Sequence, residues 1–222
     1  MNRVIANTVT FAGIVWGFSF GAYTALHLPH RVGVHFRFDG TPDRYGSSLE
    51  AGFGLLLLPV VALLMNALFA YLPRFDARAA AQQKVFDLLR VAVTLLLIGL
   101  QFGIAQSMQI QRFDARLVMV GTGALLIVIG NVMPKIRPNP YAGIRLSYTF
   151  ASRQAWWAAN RAGGWLFVIL GALLVASAAL LAQNIAPYAL LILPIGLIAG
   201  IIWLTLLAKR EWLRDPERQP LS

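Results

Sequence analysis

Long apolar runs alternate with short polar segments along the chain. The runs lie at about residues 5–28, 51–72, 86–106, 117–133, 162–183 and 187–208. Each is close to the roughly 20 helical residues that cross a hydrocarbon core about 30 Å thick. Only Arg3 precedes the first run, and no small-residue cleavage site follows it, so this run is interpreted as a retained helix rather than a signal peptide. The pattern predicts an all-α integral membrane protein with six transmembrane helices.

The polar segment at residues 29–50 differs from the other connections because it combines turn signals with alternation. Asp39-Gly40 and Thr41-Pro42-Asp43 are turn sequences, since glycine tolerates a positive φ and proline presets φ. Short alternating pieces around residues 32–38 predict an extended ribbon. By contrast, only residues 184–186 separate the last two apolar runs, which predicts a tight antiparallel helical hairpin.

The composition supports a membrane location. Of the 222 residues, 58% are hydrophobic and 13% are charged, whereas a soluble domain carries roughly 25% charged residues. The formal net charge is +10 at pH 7, which in a soluble protein would suggest nucleic-acid binding. Because cytoplasmic loops of membrane proteins carry excess Lys and Arg, the charge is assigned to topology, and no direct nucleic-acid binding is expected.

The distribution of Lys and Arg predicts the orientation of the six helices. The amino terminus, the second and fourth connections and the tail must share one side, and they carry one, three, five and four basic residues, thirteen altogether. The other side carries five, namely Arg31, Arg37, Arg44, Arg112 and Arg116. The positive-inside rule then puts both termini in the cytoplasm and the segment 29–50 outside.

Candidate metal and catalytic chemistry is sparse. The chain has no Cys, which excludes disulfides, thiolate metal sites and cysteine nucleophiles. His27, His30 and His35 lie near Asp39 and Asp43 without the spacing of zinc ligands, so they are interpreted as interfacial polar residues and no metal is expected. With no carboxylate pair at membrane depth, no nucleophile beside a base and no phosphate-binding loop, neither an enzyme nor a cofactor is expected.

Several small or polar residues fall inside the apolar runs. Glycines at four-residue spacing allow helices to approach closely, and packing within one subunit is preferred here to dimerisation. They are Gly13, Gly17 and Gly21, Gly99 and Gly103, and Gly196 and Gly200. Asp87 and Arg90, three residues apart, are expected to pair or to extend toward the membrane surface. The candidate buried polar residues are Asn66, Gln101 and Gln106.

Residues 134–161 form the most unusual connection. No Asp or Glu occurs from residue 115 to residue 210, so the five basic residues of this segment have no nearby partner in sequence. Topology, and attraction to anionic lipid of about 1 kcal/mol per basic residue, would explain the charge alone. They would not explain Asn139 between two stiffening prolines, or Arg145, whose planar fork suits a carboxylate or carbonyl partner. An ordered functional loop and a merely structural one are both open.

The end of this segment, residues 152–161, is expected to form a short helix lying in the membrane interface. Trp156 and Trp157 would anchor that helix at the level of the lipid headgroups. Asn160 and Arg161 would cap the start of the fifth transmembrane helix.

Two sets of residues make the chain resemble a known family. The second half resembles the Sdp immunity protein family, whose pattern is approximately G-N-x-M-x-K-x-x-x-N, then G-I-R-x-x-x-T, a Trp, and His-Arg or Asn-Arg before a glycine. The residues that carry this resemblance are the run from Gly130 to Asn139, then Gly143, Ile144, Arg145, Thr149, Trp156, Asn160, Arg161 and Gly163. The first half is similar to an uncharacterised domain often joined to that family at the amino terminus. It matches at Leu28-Pro29, His35-Phe36, Gly40, Pro42-Asp43 and Gly46-Ser47. Leu146-Ser147-Tyr148 departs from the Thr-Pro-Trp of many members.

The resemblance implies a protein that protects a bacterium from a secreted toxic peptide. In the best-known type, the protein also holds a winged-helix transcriptional repressor at the membrane, so that the immunity genes are expressed. His35, Gly40 and Asp43 are then expected to face the toxic peptide. The residues expected to hold or couple to the repressor are Asn131, Lys135, Arg137, Asn139, Gly143, Arg145, Thr149, Trp156, Asn160 and Arg161. A small membrane transporter or exporter, and a membrane scaffold in a stress response, are the alternatives.

The predicted organisation has three parts in the bacterial cytoplasmic membrane. Residues 1–72 form a helical hairpin with the extracytoplasmic loop 29–50. Residues 73–208 form a four-helix region like that of the Sdp immunity family, with the basic cytoplasmic loop 134–161. Residues 209–222 are a polar cytoplasmic tail that is expected to be partly frayed. A toxic peptide, a repressor and membrane lipid are the expected partners.

Overall fold

A computed structural model of the chain describes residues 2–37, 39–75, 77–182 and 184–221. Phe38, at the end of the predicted ribbon, and Gln183, at the end of the fifth apolar run, lie outside the described residues. Within the described ranges, six helices are long and apolar enough to cross a membrane. The predicted all-α multi-pass membrane fold is therefore confirmed.

Eight helices and one small sheet are present in the described part of the chain. In order they are α1 (Arg3–His27), β1 (Arg31–Phe36), β2 (Pro42–Ser47), α2 (Ser48–Tyr71), α3 (Ala77–Ala80), α4 (Gln83–Ile110), α5 (Ala115–Val132), α6 (Ser147–Phe150), α7 (Arg153–Leu180) and α8 (Ile192–Arg214). Three 3-10 turns lie at Leu72–Arg74, Met133–Lys135 and Ala186–Leu191.

The six long helices pack as two three-helix bundles. α1, α2 and α4 contact one another and form the amino-terminal bundle. α7 packs against both α5 and α8 in the carboxyl-terminal bundle, and the main contact between the two bundles is α4 against α5. The division in packing therefore falls at residues 111–114, between α4 and α5. The predicted organisation into residues 1–72, 73–208 and 209–222 stays a prediction.

The amino-terminal bundle is joined at a glycine and a buried amide. A methyl group at Gly17 of α1 would lie 3.1 Å from Cβ of Pro59 on α2, so this approach depends on glycine. Gln101 of α4 is fully buried and donates its amide to the carbonyl groups of Gly17 (2.8 Å) and Leu55 (3.1 Å). These contacts confirm that the α1 glycines serve packing within the subunit. Gln101 is buried as predicted, whereas the prediction for Gln106 is wrong because its side chain is exposed.

The carboxyl-terminal bundle has its closest contact between α5 and α7. Gly130 faces Gly164, and a methyl group on either would come within 2.6 Å of the carbonyl oxygen of the other. Gly123 and Gly171 repeat the same contact one heptad away. Two such contacts on one helix pair hold α7 firmly on α5 at close backbone distance, which fixes the two ends of the connection between them.

A buried ion pair lies at the start of α4. Nη2 of Arg90 is 2.9 Å from Oδ1 of Asp87, and both side chains are almost completely buried. Arg90 also donates to Oδ1 of Asn7 on α1 at 2.5 Å, and Gln83 donates to Asp87 at 3.0 Å. The predicted pairing of Asp87 with Arg90 is confirmed, and the pair is enclosed between helices rather than extended to the surface.

The segments that the orientation rule assigns to one side meet at one end of the molecule. The amino-terminal part of α1 reaches α4 through Asn7. Gln82, just before α4, bonds to the backbone of Arg137, and Ser152 bonds to Asp215 after α8. The placement of this end in the cytoplasm stays a prediction.

The predicted ribbon is a two-stranded antiparallel hairpin. β1 pairs with β2 from Arg31 opposite Ser47 to Phe36 opposite Pro42. Gly40, at the tip, has φ +83° and accepts a hydrogen bond at 2.9 Å from the backbone N–H of Phe113. The hairpin is therefore docked on the connection between α4 and α5, at the end opposite to Asp215.

The separate interfacial helix predicted at residues 152–161 is wrong. Ser152 caps α7 by accepting a hydrogen bond from the N–H of Ala155 at 3.0 Å, and α7 then continues without a break to Leu180. No Pro or Gly interrupts the first turns, so nothing in the local sequence stops the helix. Asn160 and Arg161 accordingly lie inside α7 and do not cap it.

The predicted fraying of the tail is also wrong over the described residues. α8 continues to Arg214, six residues beyond the predicted end at Ala208. The chain after it turns back, and Asp215 accepts a hydrogen bond of 2.5 Å from Ser152. The N–H of Gln219 donates to the carbonyl of Ala151 at 2.7 Å. These bonds hold the tail on the connection between α5 and α7.

Candidate functional site

Residues 133–152, which connect α5 to α7, contain most of the sequence motif and are called here the motif loop. Its first turn packs Met133 and Ile136 against the indole of Trp156. The indole is fully buried, and its N–H donates to the carbonyl of Ile136 at 2.8 Å. The predicted role of Trp156 as a headgroup anchor is therefore wrong, because its ring is enclosed beneath the motif loop.

The side chain of Asn139 organises the centre of the motif loop. It is 2% exposed and makes four hydrogen bonds to backbone groups. Its amide donates to the carbonyls of Arg137 (2.8 Å) and Ala142 (3.2 Å). Its oxygen accepts from the N–H groups of Tyr141 (2.8 Å) and Ala142 (2.9 Å). The Asn139 side chain thus supplies hydrogen-bond partners for backbone groups that have no backbone partner in an irregular loop.

Asn160 of α7 holds the next part of the motif loop. Its oxygen accepts a hydrogen bond of 2.9 Å from the N–H of Ile144, and its amide donates to the carbonyl of Trp156 at 2.9 Å. Gly143 has φ +111°, and a methyl group there would lie 2.5 Å from Oδ1 of Asn160. Gly143 is required both by its backbone conformation and by the close approach to Asn160.

Thr149 closes the last part of the motif loop. Its hydroxyl is buried and accepts a hydrogen bond of 2.9 Å from the N–H of Leu146. The same hydroxyl lies 3.0 Å from the carbonyl of Ile144 and 2.8 Å from that of Leu146. These contacts form the start of the short helix α6.

Two further residues that the sequence interpretation missed hold the motif loop from outside. Gln82 makes a paired contact with the backbone of Arg137, accepting from its N–H at 2.9 Å and donating to its carbonyl at 3.3 Å. Asp215 accepts from Ser152, and this hydrogen bond lowers the pKa of the Asp215 carboxyl. Neither contact has a local sequence signal, because the partners are 55 and 63 residues apart.

The remaining residues predicted to bind the partner are exposed. Five cations lie in or beside the motif loop, have exposed side chains and have no ion-pair partner among the described residues. These loop cations are Lys135, Arg137, Arg145, Arg153 and Arg161. The guanidinium of Arg145 lies 5.9 Å from the ring centroid of Phe150, and no acidic partner is present for its fork within the described ranges. Asn131 is also exposed, and its amide donates to the carbonyl of Ile127 at 2.8 Å.

At the opposite end, the hairpin forms one wall of a cleft. Nδ1 of His35 is 2.5 Å from Oδ1 of Asp43, and Nε of Arg37 is 4.0 Å from its other oxygen. The hydrogen bond from His35 lowers the pKa of the Asp43 carboxyl. The cleft has a volume of about 460 Å³ and is called here the hairpin cleft. Its lining residues include these three side chains and Phe36, Phe113, Ala115, Pro187 and Leu190.

The predicted hairpin residues have different positions. His35 and Asp43 line the hairpin cleft, whereas Gly40 faces the connection between α4 and α5. His27 does not line the hairpin cleft, and its ring is stacked on that of Tyr23 with the centroids 4.1 Å apart. No group of three or more His, Asp or Glu side chains in the described part of the chain could hold a metal ion.

The molecule is thus a multi-pass membrane protein with a hydrogen-bonded basic loop at one end and a docked hairpin at the other. Residues 135–206, which include most of the motif loop, α7 and most of α8, match the SdpI/YfhL protein family. Residues 12–63, which include the hairpin and parts of α1 and α2, match a domain of unknown function, DUF1648. The resemblance to this family, with the second domain on the amino-terminal side, is confirmed. No curated protein and no solved structure matches the chain.

Proposed function

We propose that the protein acts in the bacterial cytoplasmic membrane as an immunity protein against a secreted toxic peptide. We further propose that its motif loop holds an acidic surface of a winged-helix repressor in the cytoplasm. The observation that carries the proposal is the division of the ten residues predicted to bind the partner into two groups. Five are buried or structurally constrained and shape the loop, namely Asn139, Gly143, Thr149, Trp156 and Asn160. The others are exposed and mostly cationic.

A fixed loop with unpartnered cations suits a protein partner better than topology or lipid alone. Topology and attraction to anionic lipid need only charge, and they do not need a defined backbone. Here Asn139 and Asn160 fix the backbone through hydrogen bonds, so the cations at Arg137 and Arg145 start from defined positions. Arginine forks held in this way favour carboxylates through charge-assisted bonds.

The hairpin cleft is the proposed site of the toxic peptide. Its wall from the amino-terminal bundle carries His35 and Asp43, and its other wall is the turn before α8 in the carboxyl-terminal bundle, at Pro187 and Leu190. An occupant would contact both bundles, which otherwise meet mainly through α4 and α5. At the far end, Gln82 joins the amino-terminal bundle to the motif loop. Peptide binding that favours one relative position of the bundles would therefore change the setting of the motif loop.

Survival of toxin-sensitive bacteria tests the immunity part of the proposal. Cells expressing the wild type should survive a challenge with an Sdp-type toxic peptide. Cells expressing His35→Ala at the same level should lose protection, while cells with His30→Ala, an exposed histidine outside the cleft, should keep it. Absence of protection by the wild type would contradict the immunity function. Substrate-dependent peptide flux in vesicles would favour the transporter alternative.

Recruitment of a fluorescent winged-helix repressor to the membrane tests the role of the motif loop. Arg145→Ala should release the repressor into the cytoplasm, because it removes a loop cation without disturbing the backbone. Arg210→Ala is the matched control, since that arginine is exposed at the same end of the molecule outside the loop. Equal recruitment of the repressor by the wild type and by both variants would contradict the proposed role of the motif loop.

A further inference from the structure

A lateral groove runs along the contact between the two bundles. Two adjoining cavities of about 330 and 530 Å³ lie between α4 and α5, and they share Leu117 and Val120 in their linings. The larger cavity is also lined by α7, at Val175, Ala178 and Ala179. Together they extend along α4 from Ala92 to Ile110, about 27 Å at 1.5 Å per residue. The volume is called here the bundle groove.

The groove is apolar along its length and polar only at the hairpin end. Leucine, valine, alanine and glycine line the part between Ala92 and Val128. A methyl group at Gly99 would meet no atom within 4 Å, so the groove is open above the helix there. Leu95 and Phe102 are 54% and 44% exposed. In a membrane, an apolar volume open to the side is filled by hydrocarbon, because water gains no hydrogen bonds there.

The polar end has a positive balance. Arg112 and Arg116 line it together with Asp114. The carboxylate of Asp114 accepts the N–H of Arg116 at 3.0 Å and so caps α5. Nη2 of Arg116 donates to the carbonyl of Leu181 at 2.8 Å, but its Nε is buried and has no hydrogen-bond partner. Arg112 is exposed and has no ion-pair partner in the described part of the chain.

We propose that the bundle groove binds one anionic phospholipid, with the headgroup phosphate between Arg112 and Arg116 and an acyl chain along α4 and α5. The two guanidinium groups that line the polar end suit a phosphate, which arginine binds by charge-assisted hydrogen bonds. The apolar length exceeds the roughly 15 Å that one leaflet of a 30 Å core provides, so a chain fits alongside the helices. The lipid fills the groove beside α4 and α5, which form the main contact between the two bundles.

A fluorescent probe at the groove can detect this lipid directly. The chain has no cysteine, so Ile110→Cys, at an exposed position beside the polar end, gives a unique attachment point. The purified full chain is placed in vesicles that contain brominated phosphatidylglycerol or brominated phosphatidylcholine, and quenching of the probe reports the lipid beside it. We expect phosphatidylglycerol to quench at lower mole fraction than phosphatidylcholine.

Two pairs of variants test the headgroup and the chain separately. Arg112→Gln should weaken the preference for phosphatidylglycerol about fivefold, whereas Arg3→Gln, at the other end of the molecule, should leave it unchanged. Gly99→Leu should reduce quenching by both lipids, because the new side chain occupies the groove. Gly54→Leu is the matched control, since a side chain at Gly54 also meets no atom within 4 Å and Gly54 lines neither cavity.

Three outcomes would overturn the proposal. One is equal quenching by the two lipids in the otherwise unchanged chain. Another is unchanged quenching in the Gly99→Leu variant at a wild-type melting temperature. The third is displacement of the brominated lipid by an added toxic peptide at stoichiometric amounts, which would make the groove a peptide site instead.

Discussion

Replacing Asn139 by alanine should release the motif loop from its present conformation. The substitution removes four hydrogen bonds between the side chain and backbone groups of the loop. Each such bond contributes about 1 kcal/mol net, and water can reach part of a loop at the end of the bundle. We therefore expect the loop to lose about 2–4 kcal/mol against local opening. The six long helices should stay folded, because these four hydrogen bonds all go to backbone groups of the motif loop.

Hydrogen exchange measured by mass spectrometry reports this loss at the loop itself. The backbone N–H groups of Tyr141 and Ala142, which bond to Asn139 in the wild type, should exchange about 30- to 700-fold faster in the variant, at a tenfold change per 1.4 kcal/mol. Asn131→Ala is the control, since Asn131 is exposed and makes one bond to a carbonyl of its own helix. Its effect should stay within about 0.5 kcal/mol.

A small change in the exchange rate would contradict the role assigned to Asn139. If the loop amides of Asn139→Ala exchanged within threefold of the wild-type rate, the four bonds would not hold the loop. The motif would then need another explanation, and the division into shaping and exposed residues would lose its basis. Global unfolding in the same variant, seen as a lowered melting temperature of the whole chain, would show instead that the motif loop also stabilises the bundle.

Three further substitutions probe other parts of the molecule. Gly143→Ala should cost about 1–3 kcal/mol in the same exchange experiment, because its φ of +111° strains any other residue. His35→Ala should raise the pKa of Asp43 toward 3.8, measured by NMR titration of the carboxyl. Arg90→Met should destabilise the chain by about 3–5 kcal/mol in thermal unfolding, because it leaves Asp87 buried and charged.

Each of these has a control or a defined contradiction. A wild-type exchange rate in Gly143→Ala would show that the loop adapts its backbone without cost. The lowered pKa of Asp43 adds hairpin stability that is present above the unfolded value of 3.8 and is lost as pH falls through the folded value. A hairpin equally stable in the wild type and His35→Ala across this acidic range would contradict the contribution. Adding Asp87→Leu to Arg90→Met should restore most of the lost stability, since no charge is then left without a partner.

The six transmembrane helices could be predicted from the sequence because a membrane span requires only apolar length. The grouping of the helices could not be predicted in the same way. Helices that are apolar nearly all round give no strong stripe to show which face is packed against protein and which against lipid. The close contacts of Gly130 with Gly164 and of Gly123 with Gly171 involve glycines seven residues apart on each helix. The sequence prediction considered only glycines four residues apart.

The motif loop shows a different limit. The order at Asn139 could be predicted because two prolines flank it, but its neighbours depend on contacts distant in sequence. A pair of tryptophans such as Trp156 and Trp157 is typical of a membrane interface. In the fold, however, the Trp156 ring is buried and donates to the carbonyl of Ile136. Gln82 and Asp215 contact the loop across 55 and 63 residues, so no local pattern reveals them. Only the folded structure brings Gln82 and Asp215 to the motif loop.

The hydrogen bond between Ser152 and Asp215 has a consequence for biosynthesis. During translation, Asp215 leaves the ribosome 63 residues after Ser152, which at 5–20 residues per second is a delay of roughly 3 to 13 s. During that interval the nascent motif loop lacks the hydrogen bond from Ser152 to Asp215, while α7 and α8 insert into the membrane. Any partner that required the finished loop would therefore distinguish completed molecules from nascent ones, and a bulky fusion placed close behind Gln219 would prolong the unfinished state.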